Sequence, residues 1–262
     1  MIVKGGRKEG IKKLKSIKKY KYYNDERNSL SIRTTELSAY IKFGCISIRE
    51  VFHVILKHLG KENVLLSQIF WREFYYYIGY YFPRVLEGKN YNRKFDKIKW
   101  RWNKKHFEAW KNGQTGFPVV DAGMRQLNTT GYMHNRGRLI TSNFLNRILG
   151  IDWRHGEKYY ATKLVDYDPI VNNGNWQWSA SVGVDPKPYT QRIFNPWIQS
   201  EKFDKDCKYI KKWIPELKDV SNKHIHEWDN YYKFYDVKYN KPIVDYKVNR
   251  KESIKMYKKS YK

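Results

Sequence analysis

The chain has 262 residues, enough for one large domain or two small ones with a substantial buried core. A formal net charge of +26 makes polyanions, nucleic acid first, the partners to consider, and an aromatic content of 17% raises the question of what the rings stack on. No apolar run reaches the ~18 residues of a membrane span, and the two cysteines, Cys45 and Cys207, fit neither a disulfide framework nor a zinc site, so an intracellular, reducing compartment (cytoplasm or nucleus) and no membrane partner are expected.

Residues 1–21 are lysine-rich, lack the apolar stretch of a signal peptide and read as a basic N-terminal extension. Leu37 to Phe43 predicts a helix stopped by Gly44. Ser47 and Glu50 form a capping box for the next helix, in which Val51, Phe52, Ile55 and Leu56 show the 3–4 spacing. A longer amphipathic helix spans about Asn63 to Tyr81 and ends before Pro83. Phe107 to Trp110 is a short helix ended by Asn112-Gly113, and Pro118 opens another that runs through Val119, Val120, Met124 and Leu127 to Gly131. Arg138 to Leu149 and Gly156 to Leu164 continue the pattern. No βαβ unit, hairpin signal or repeat appears, so the fold class is all-α, a helical bundle. His224 and His226 lack a third ligand and read as surface residues, and no metal site is expected. Residues 221–262 read as a second lysine-rich extension, leaving 22–220 as the folded domain.

The run from Asp166 to Trp178 carries the most chemistry. Two carboxylates, an Asn pair, a Gly and two tryptophans are poor material for an ordinary packed helix and good material for meeting a polar ring. The alternative is equally physical: Asp168-Pro169 is good N-cap and N1 chemistry ahead of two core tryptophans. Thr34, Thr35 and Ser38, at the start of a helix, suit a diphosphate, or else simple capping.

Taken in chain order, six segments resemble the C-terminal, flavin-binding helical domain of the photolyase and cryptochrome family, of the class I deoxyribodipyrimidine photolyase type. They are Thr34 to Ser38, Trp71-Arg72-Glu73-Phe74-Tyr75, Gly116 to Leu127, Tyr132 to Arg138, Asp166 to Trp178, and Arg192-Ile193-Phe194-Asn195-Pro196. The resemblance implies that FAD is the cofactor, held at its pyrophosphate by Tyr23, Thr34, Thr35, Glu36, Leu37 and Ser38, and elsewhere by Asn135, Asp166, Tyr167 and Asp168. It places Asn172 against N5 of the flavin, where an amide can stabilise a redox state without fixing a proton. It implies a DNA substrate whose cross-linked pyrimidines are flipped out of the duplex between aromatic walls, Trp71 and Trp178, with Arg27, Gln68, Arg72, Tyr75, Asn135, Arg136 and Gln199 in contact. Trp100, Trp153 and Trp176 match the relay that carries electrons between surface and flavin.

The expected activity is therefore a light-driven carbon–carbon lyase that repairs pyrimidine dimers with no net redox change. Two departures qualify it. Gln68 stands where enzymes for cyclobutane dimers usually carry a glutamate, and Leu139 where a methionine is usual; Asn135 is of the cyclobutane type, the lesion favoured here. The N-terminal α/β antenna domain of full-length members is missing from the sequence, so no antenna chromophore is expected on this chain, and a separate antenna-domain chain is a candidate partner. The competing readings are a cryptochrome-like photosensor and an inactive fragment of a split photolyase.

Overall fold

The computed structural model describes residues 3–184 and 188–260, and among them there are helices and turns but no strand. The expected all-α architecture is what the chain forms. Helices begin and end where local chemistry demands. Ser47 and Glu50 make the reciprocal capping box that opens Ile48–Leu59. Asn63 caps Val64–Tyr81 by accepting from the Leu65 N–H. Asn103 caps Lys104–Asn112, which is therefore longer than the Phe107–Trp110 core that periodicity suggests, and Pro118–Thr130 ends at Gly131 as expected.

The stretch expected as one helix from Arg138 to Leu149 is two pieces. The helix Asn135–Asn143 starts on an unusual cap, His134, whose Nδ1 accepts from the Arg136 N–H at 3.1 Å. It then widens into a π-turn, Phe144–Ile148, that turns Arg147 into the core. There the fully buried guanidinium donates to Ser181 Oγ at 2.8 Å and the Tyr189 carbonyl at 2.9 Å, and lies 3.9 Å over the Tyr257 ring. A buried cation is tolerable only when its donors are matched in this way.

Apolar side chains gather in two clusters. The smaller one joins Leu14, Ile17, Leu37, Tyr40, Ile46, Val51, Ile55, Leu65 and Ile69; the larger one is built around Trp110, Phe117, Val120, Phe144, Trp153, Tyr160 and Trp176. Neither lysine-rich end is a free extension. Leu14 and Ile17 are buried in the smaller cluster, and Ile225, Trp228, Tyr239 and Tyr257 in the larger one. Isolated apolar residues among many lysines bury their own side chains while the charged heads stay in water, a pattern that composition conceals. Asp121 ties the C-terminal segment down: its buried carboxylate accepts from Thr115, the Gly116 N–H and, at 2.5 Å, the Tyr239 hydroxyl. Burial pushes that carboxyl up to about 6, against the pull of these hydrogen bonds. Gly116, at φ 75°, lets the segment pass so closely that a Cβ would lie 2.2 Å from the Lys241 carbonyl oxygen.

His226 corrects a second expectation. It is buried, with Nδ1 2.7 Å from Ser200 Oγ and Nε2 3.0 Å from the Lys205 carbonyl, and these partners make burial possible. His224 is partly buried, stacked on Tyr231 at 3.9 Å. The described residues contain no cluster able to hold a metal ion and no helix long and apolar enough to cross a membrane. Both cysteines are free.

Candidate cofactor and substrate site

Where the two apolar clusters meet, a cavity of about 310 Å³ opens. Ile41, Ile48, Val51, Ile55 and Leu65 from the smaller cluster line one side; Met133, Tyr160, Leu164 and Trp176 from the larger one line the other. Of the residues singled out in the sequence, the fold brings Tyr23, Thr34 to Ser38, Gln68, Arg72, Asn135, Asp166, Tyr167, Asp168, Asn172 and Trp176 into this lining. Segments more than a hundred residues apart thus converge on one chamber.

The hydroxyl loop lies on the N-terminal side. Thr34 Oγ1 sits 3.3 Å from the Tyr132 hydroxyl, and Ser38 Oγ donates to Asp166 Oδ2 at 2.6 Å. The helix that follows, Ser38–Lys42, is little more than one turn, so the loop's own polar groups, and not a helix dipole, must provide most of any anion affinity.

Asp166 is paired. Arg138 Nη2 lies 2.9 Å from both its oxygens, an ion pair set in the cavity lining. Burial alone would lower the Arg138 pKa; the Asp166 charge beside it raises it overall. Asp168 works with both oxygens: Oδ1 accepts from the Ile170 and Val171 N–H groups as the N-cap of Pro169–Ser179, and Oδ2 accepts from Tyr76 at 2.7 Å. Lys42 Nζ stands 3.8 Å from the same Oδ2. Burial and then the Asp168 bond push the Tyr76 hydroxyl up to about 12.

Asn172 is oriented by a residue that sequence reading missed. Its Nδ2 donates to Glu157 Oε1 at 3.0 Å, and the Tyr167 hydroxyl donates to the same oxygen at 2.9 Å. The amide oxygen of Asn172 is therefore the end left for a ligand. Glu157 and Arg138 belong to helices recognised for their apolar stripes, and only the contact geometry reveals their part in the site. Arg138 lies within the Tyr132 to Arg138 motif, whereas Glu157 belongs to no motif.

Trp176 is 2% exposed, and its Nε1 has no hydrogen-bond partner. Its ring meets Tyr160 at 4.8 Å and Trp110 at 6.1 Å between centroids. Trp153 is buried on the neighbouring helix Trp153–Lys163 with Nε1 bonded to Asn90, and Trp100 is half-buried, 5.9 Å from Tyr257.

Outside the cavity lining stand Arg27, Trp71, Tyr75, Arg136, Trp178 and Gln199. Trp71 is 55% exposed and follows Gln68 by three residues on one helix face, next to Arg72, whose guanidinium sits 4.2 Å over Tyr76. Trp178 is half-buried under the Arg192 guanidinium at 3.4 Å. Arg136 donates to Asn28 at 2.6 Å and covers Phe203; burial, then the like charge of Arg27, lower its pKa, so the fold holds two cations close together. The Gln199 Oε1 is buried without a partner. Tyr75 is buried against Gly174 and lines a smaller recess; its neighbour Tyr76 instead donates to Asp168 of the large cavity's lining.

Residues 65–259 match the family model described as the FAD binding domain of DNA photolyase. The chain is 46% identical to the deoxyribodipyrimidine photo-lyase of Buchnera aphidicola subsp. Acyrthosiphon pisum, over 97% of this chain and 55% of that protein. Among solved structures, a bacterial class III photolyase from Agrobacterium tumefaciens superposes with a TM-score of 0.92 at 38% identity, covering 99% of this chain and 57% of that one. The archaeal photolyase from Sulfolobus tokodaii, solved with two FAD molecules, gives 0.88 at 43% identity, covering 98% and 57%. The chain spans about half the length of the curated relatives it matches. With a helical fold, a polar chamber between two cores and these matches in hand, the chain belongs to the family of DNA photolyase FAD-binding domains.

Proposed function

We propose that this chain binds FAD in the central cavity and serves light-driven repair of pyrimidine dimers in DNA, cyclobutane dimers by preference. The observation that carries the reading is one chamber joining a hydroxyl loop, the Asp166–Arg138 ion pair and an Asn172 amide aimed by Glu157, with Gln68 and Arg72 in the same lining. The residues fit the group: hydroxyls for a diphosphate, an apolar strip for a flat ring, and a buried Trp176 Nε1 without a partner. Bound FAD, reduced and excited by light, supplies a one-electron donor.

The protein's share is binding and orientation. Glu157 fixes the Asn172 amide through its Nδ2, which would leave the amide oxygen to accept from a ring N–H of bound flavin. Asp166 and Asp168 are already charge-compensated by Arg138 and Lys42, which keeps these buried carboxylates in the cavity lining without stranding their charge. Trp71 and Trp178 offer ring faces for unstacked bases, each worth ~1–3 kcal/mol per stacked base. Arg27 and Arg136, held together against their own repulsion, favour a phosphate between or beside them. Trp100, Trp153 and Trp176 are the rings we infer for electron entry, Trp110 and Tyr160 packing beside the innermost.

An antenna domain, on the same or another chain, is the partner we infer for the exposed strip of Tyr77, Tyr80, Tyr81 and Phe82. The free cysteines are in keeping with a reducing compartment. The test is direct. Purified chain is titrated with FAD, reduced, and illuminated with a single-stranded oligonucleotide carrying a cyclobutane dimer, with loss of the dimer followed chromatographically. FAD binding with dimer loss is the expected result; binding without dimer loss favours a photosensor, and no binding refutes both. Gln68→Glu is expected to repair faster.

A further inference from the structure

The loop that carries Thr34, Thr35 and Ser38 has a residue at its centre whose backbone is strained. Glu36 lies at φ 52°, in the left-handed region that side chains with a Cβ rarely occupy. Its side chain is 7% exposed and fully engaged. Lys13 Nζ, from the helix Arg7–Lys15, is 2.8 Å from Oε2; Arg33 Nε is 3.0 Å from Oε1 and Arg33 Nη2 is 2.7 Å from Oε2. Burial alone would raise the Glu36 pKa; the bonds from Arg33 and then Lys13 bring it below the ordinary carboxyl value.

The N-terminal segment that provides Lys13 is itself anchored. Leu14 and Ile17 are buried in the smaller core, Arg7 forks onto Glu50 at 2.6 and 3.1 Å, and the Tyr40 hydroxyl donates to the Lys4 carbonyl at 2.6 Å. Tyr20, from the same segment, donates to the Thr34 carbonyl at 3.1 Å. The loop is thus tied at residues 34 and 36 to the docked N-terminal segment. The Thr35 hydroxyl, between these two ties, has no hydrogen-bond partner among the described residues.

We propose that Lys13, Glu36 and Arg33 form a positioning clamp: they hold Glu36 left-handed, so that the hydroxyls of Thr34, Thr35 and Ser38 face a diphosphate, and they make cofactor retention depend on the docked N-terminal helix. The proposal rests on the FAD reading above. Releasing the clamp acts against binding twice in Lys13→Met, and through the first of these effects in Glu36→Gln. The Glu36 backbone relaxes toward negative φ and re-aims the peptide units on either side, and a buried carboxylate loses compensation beside the bound diphosphate.

The test measures FAD dissociation constants by flavin fluorescence for the parent chain, Lys13→Met, Lys13→Arg, Glu36→Gln and the Lys13→Met/Glu36→Gln double variant. Loss of one charge-assisted bond is expected to weaken FAD about tenfold in Lys13→Met and in Glu36→Gln, with the double variant no weaker than Glu36→Gln. Lys13→Arg should stay near the parent. The visible band of the bound flavin should keep its shape, because the ring end of the cavity is untouched. Unchanged affinity in both single variants overturns the clamp, as does a change of band shape in step with affinity, the mark of general loosening. If circular dichroism shows Lys13→Met unfolded, the exposed Arg33→Met serves instead, with weakened FAD expected and parent-like affinity overturning the proposal. A parent chain that binds no FAD refutes the cofactor reading itself; a parent that binds, with variants binding equally well, refutes the clamp alone.

Discussion

Gly156→Ala drives a methyl group into the wall of the cavity. Gly156 lies inside the helix Trp153–Lys163, directly beneath Trp176: a Cβ there would stand 2.2 Å from Cη2 of the indole, 2.5 Å from Cζ3, and 2.6 Å from Leu145 Cδ2. An ordinary carbon contact needs about 3.5 Å, so the ring must retreat by roughly 1.3 Å. It has nowhere to go, being 2% exposed and packed against Tyr160 and Trp110. Overpacking of this kind costs about 1–3 kcal/mol, while an alanine in a helix interior returns about 0.5–1 kcal/mol relative to glycine. The net expectation is a loss of about 1–2 kcal/mol in urea unfolding, with weaker FAD binding because Trp176 lines the cavity. A double-mutant cycle isolates the contact. In a Trp176→Phe background the smaller ring leaves room, so adding Gly156→Ala should be neutral or stabilising. If Gly156→Ala stabilises the parent chain by its helix gain and leaves FAD affinity unchanged, the close approach of helix and indole described above is wrong.

Three further outcomes are expected. Burial, then Arg136 and Arg138, lower the His134 pKa to about 4. A base with a depressed folded value binds protons more weakly folded than unfolded, so its contribution is lost as pH falls from about 6.5 toward 4, amounting to about 2–3 kcal/mol by pH 4.5. The drop in urea midpoint between pH 7 and 4.5 should be smaller in His134→Asn, whose amide can still cap the helix; an identical drop would clear His134 of the role. Glu157→Leu leaves the Asn172 amide and the Tyr167 hydroxyl without their shared acceptor, for about 1–3 kcal/mol of lost stability and a shifted flavin reduction potential. An unchanged potential in the folded variant would show that Asn172 does not need Glu157 to aim it. Tyr257→Ala should cost about 3–5 kcal/mol, since the ring is fully buried beneath Arg147. Parent-like thermal stability would mean that the C-terminal helix is an appendage after all.

What could be read from the chain followed how local the signal was. Capping boxes, proline starts and glycine stops are decided within four residues, and Ser47, Asn63, Pro118 and Gly131 behave as their types predict. The motif segments around Thr34 and Asp166 converge on the chamber because each is a short polar run that an ordinary apolar helix has no use for. Long-range pairing was illegible. Nothing in the spacing says that Glu157 aims Asn172, that Lys13 reaches Glu36, or that Tyr239 closes on Asp121 across 118 residues. The lysine-rich ends were misread for a related reason. A segment can be mostly charged and still carry one residue per turn, Leu14 or Tyr257, that the core requires.

Asp168 caps a helix and lines the chamber at once. The carboxylate has two oxygens, and the fold uses them separately: Oδ1 closes the first turn of Pro169–Ser179, and Oδ2 accepts from Tyr76 with Lys42 of the cavity lining nearby. The cap fixes where the helix begins, hence the angular positions of Asn172 and Trp176, four and eight residues on and therefore near one face. A one-residue slip of the whole helix in register would turn that face by about 100° and carry both side chains out of the lining. A helix-capping aspartate thus helps the amide and the indole reach the same cavity, and removing the cap altogether, as in Asp168→Ala, should disturb the site through geometry before it does so through any lost contact with a ligand.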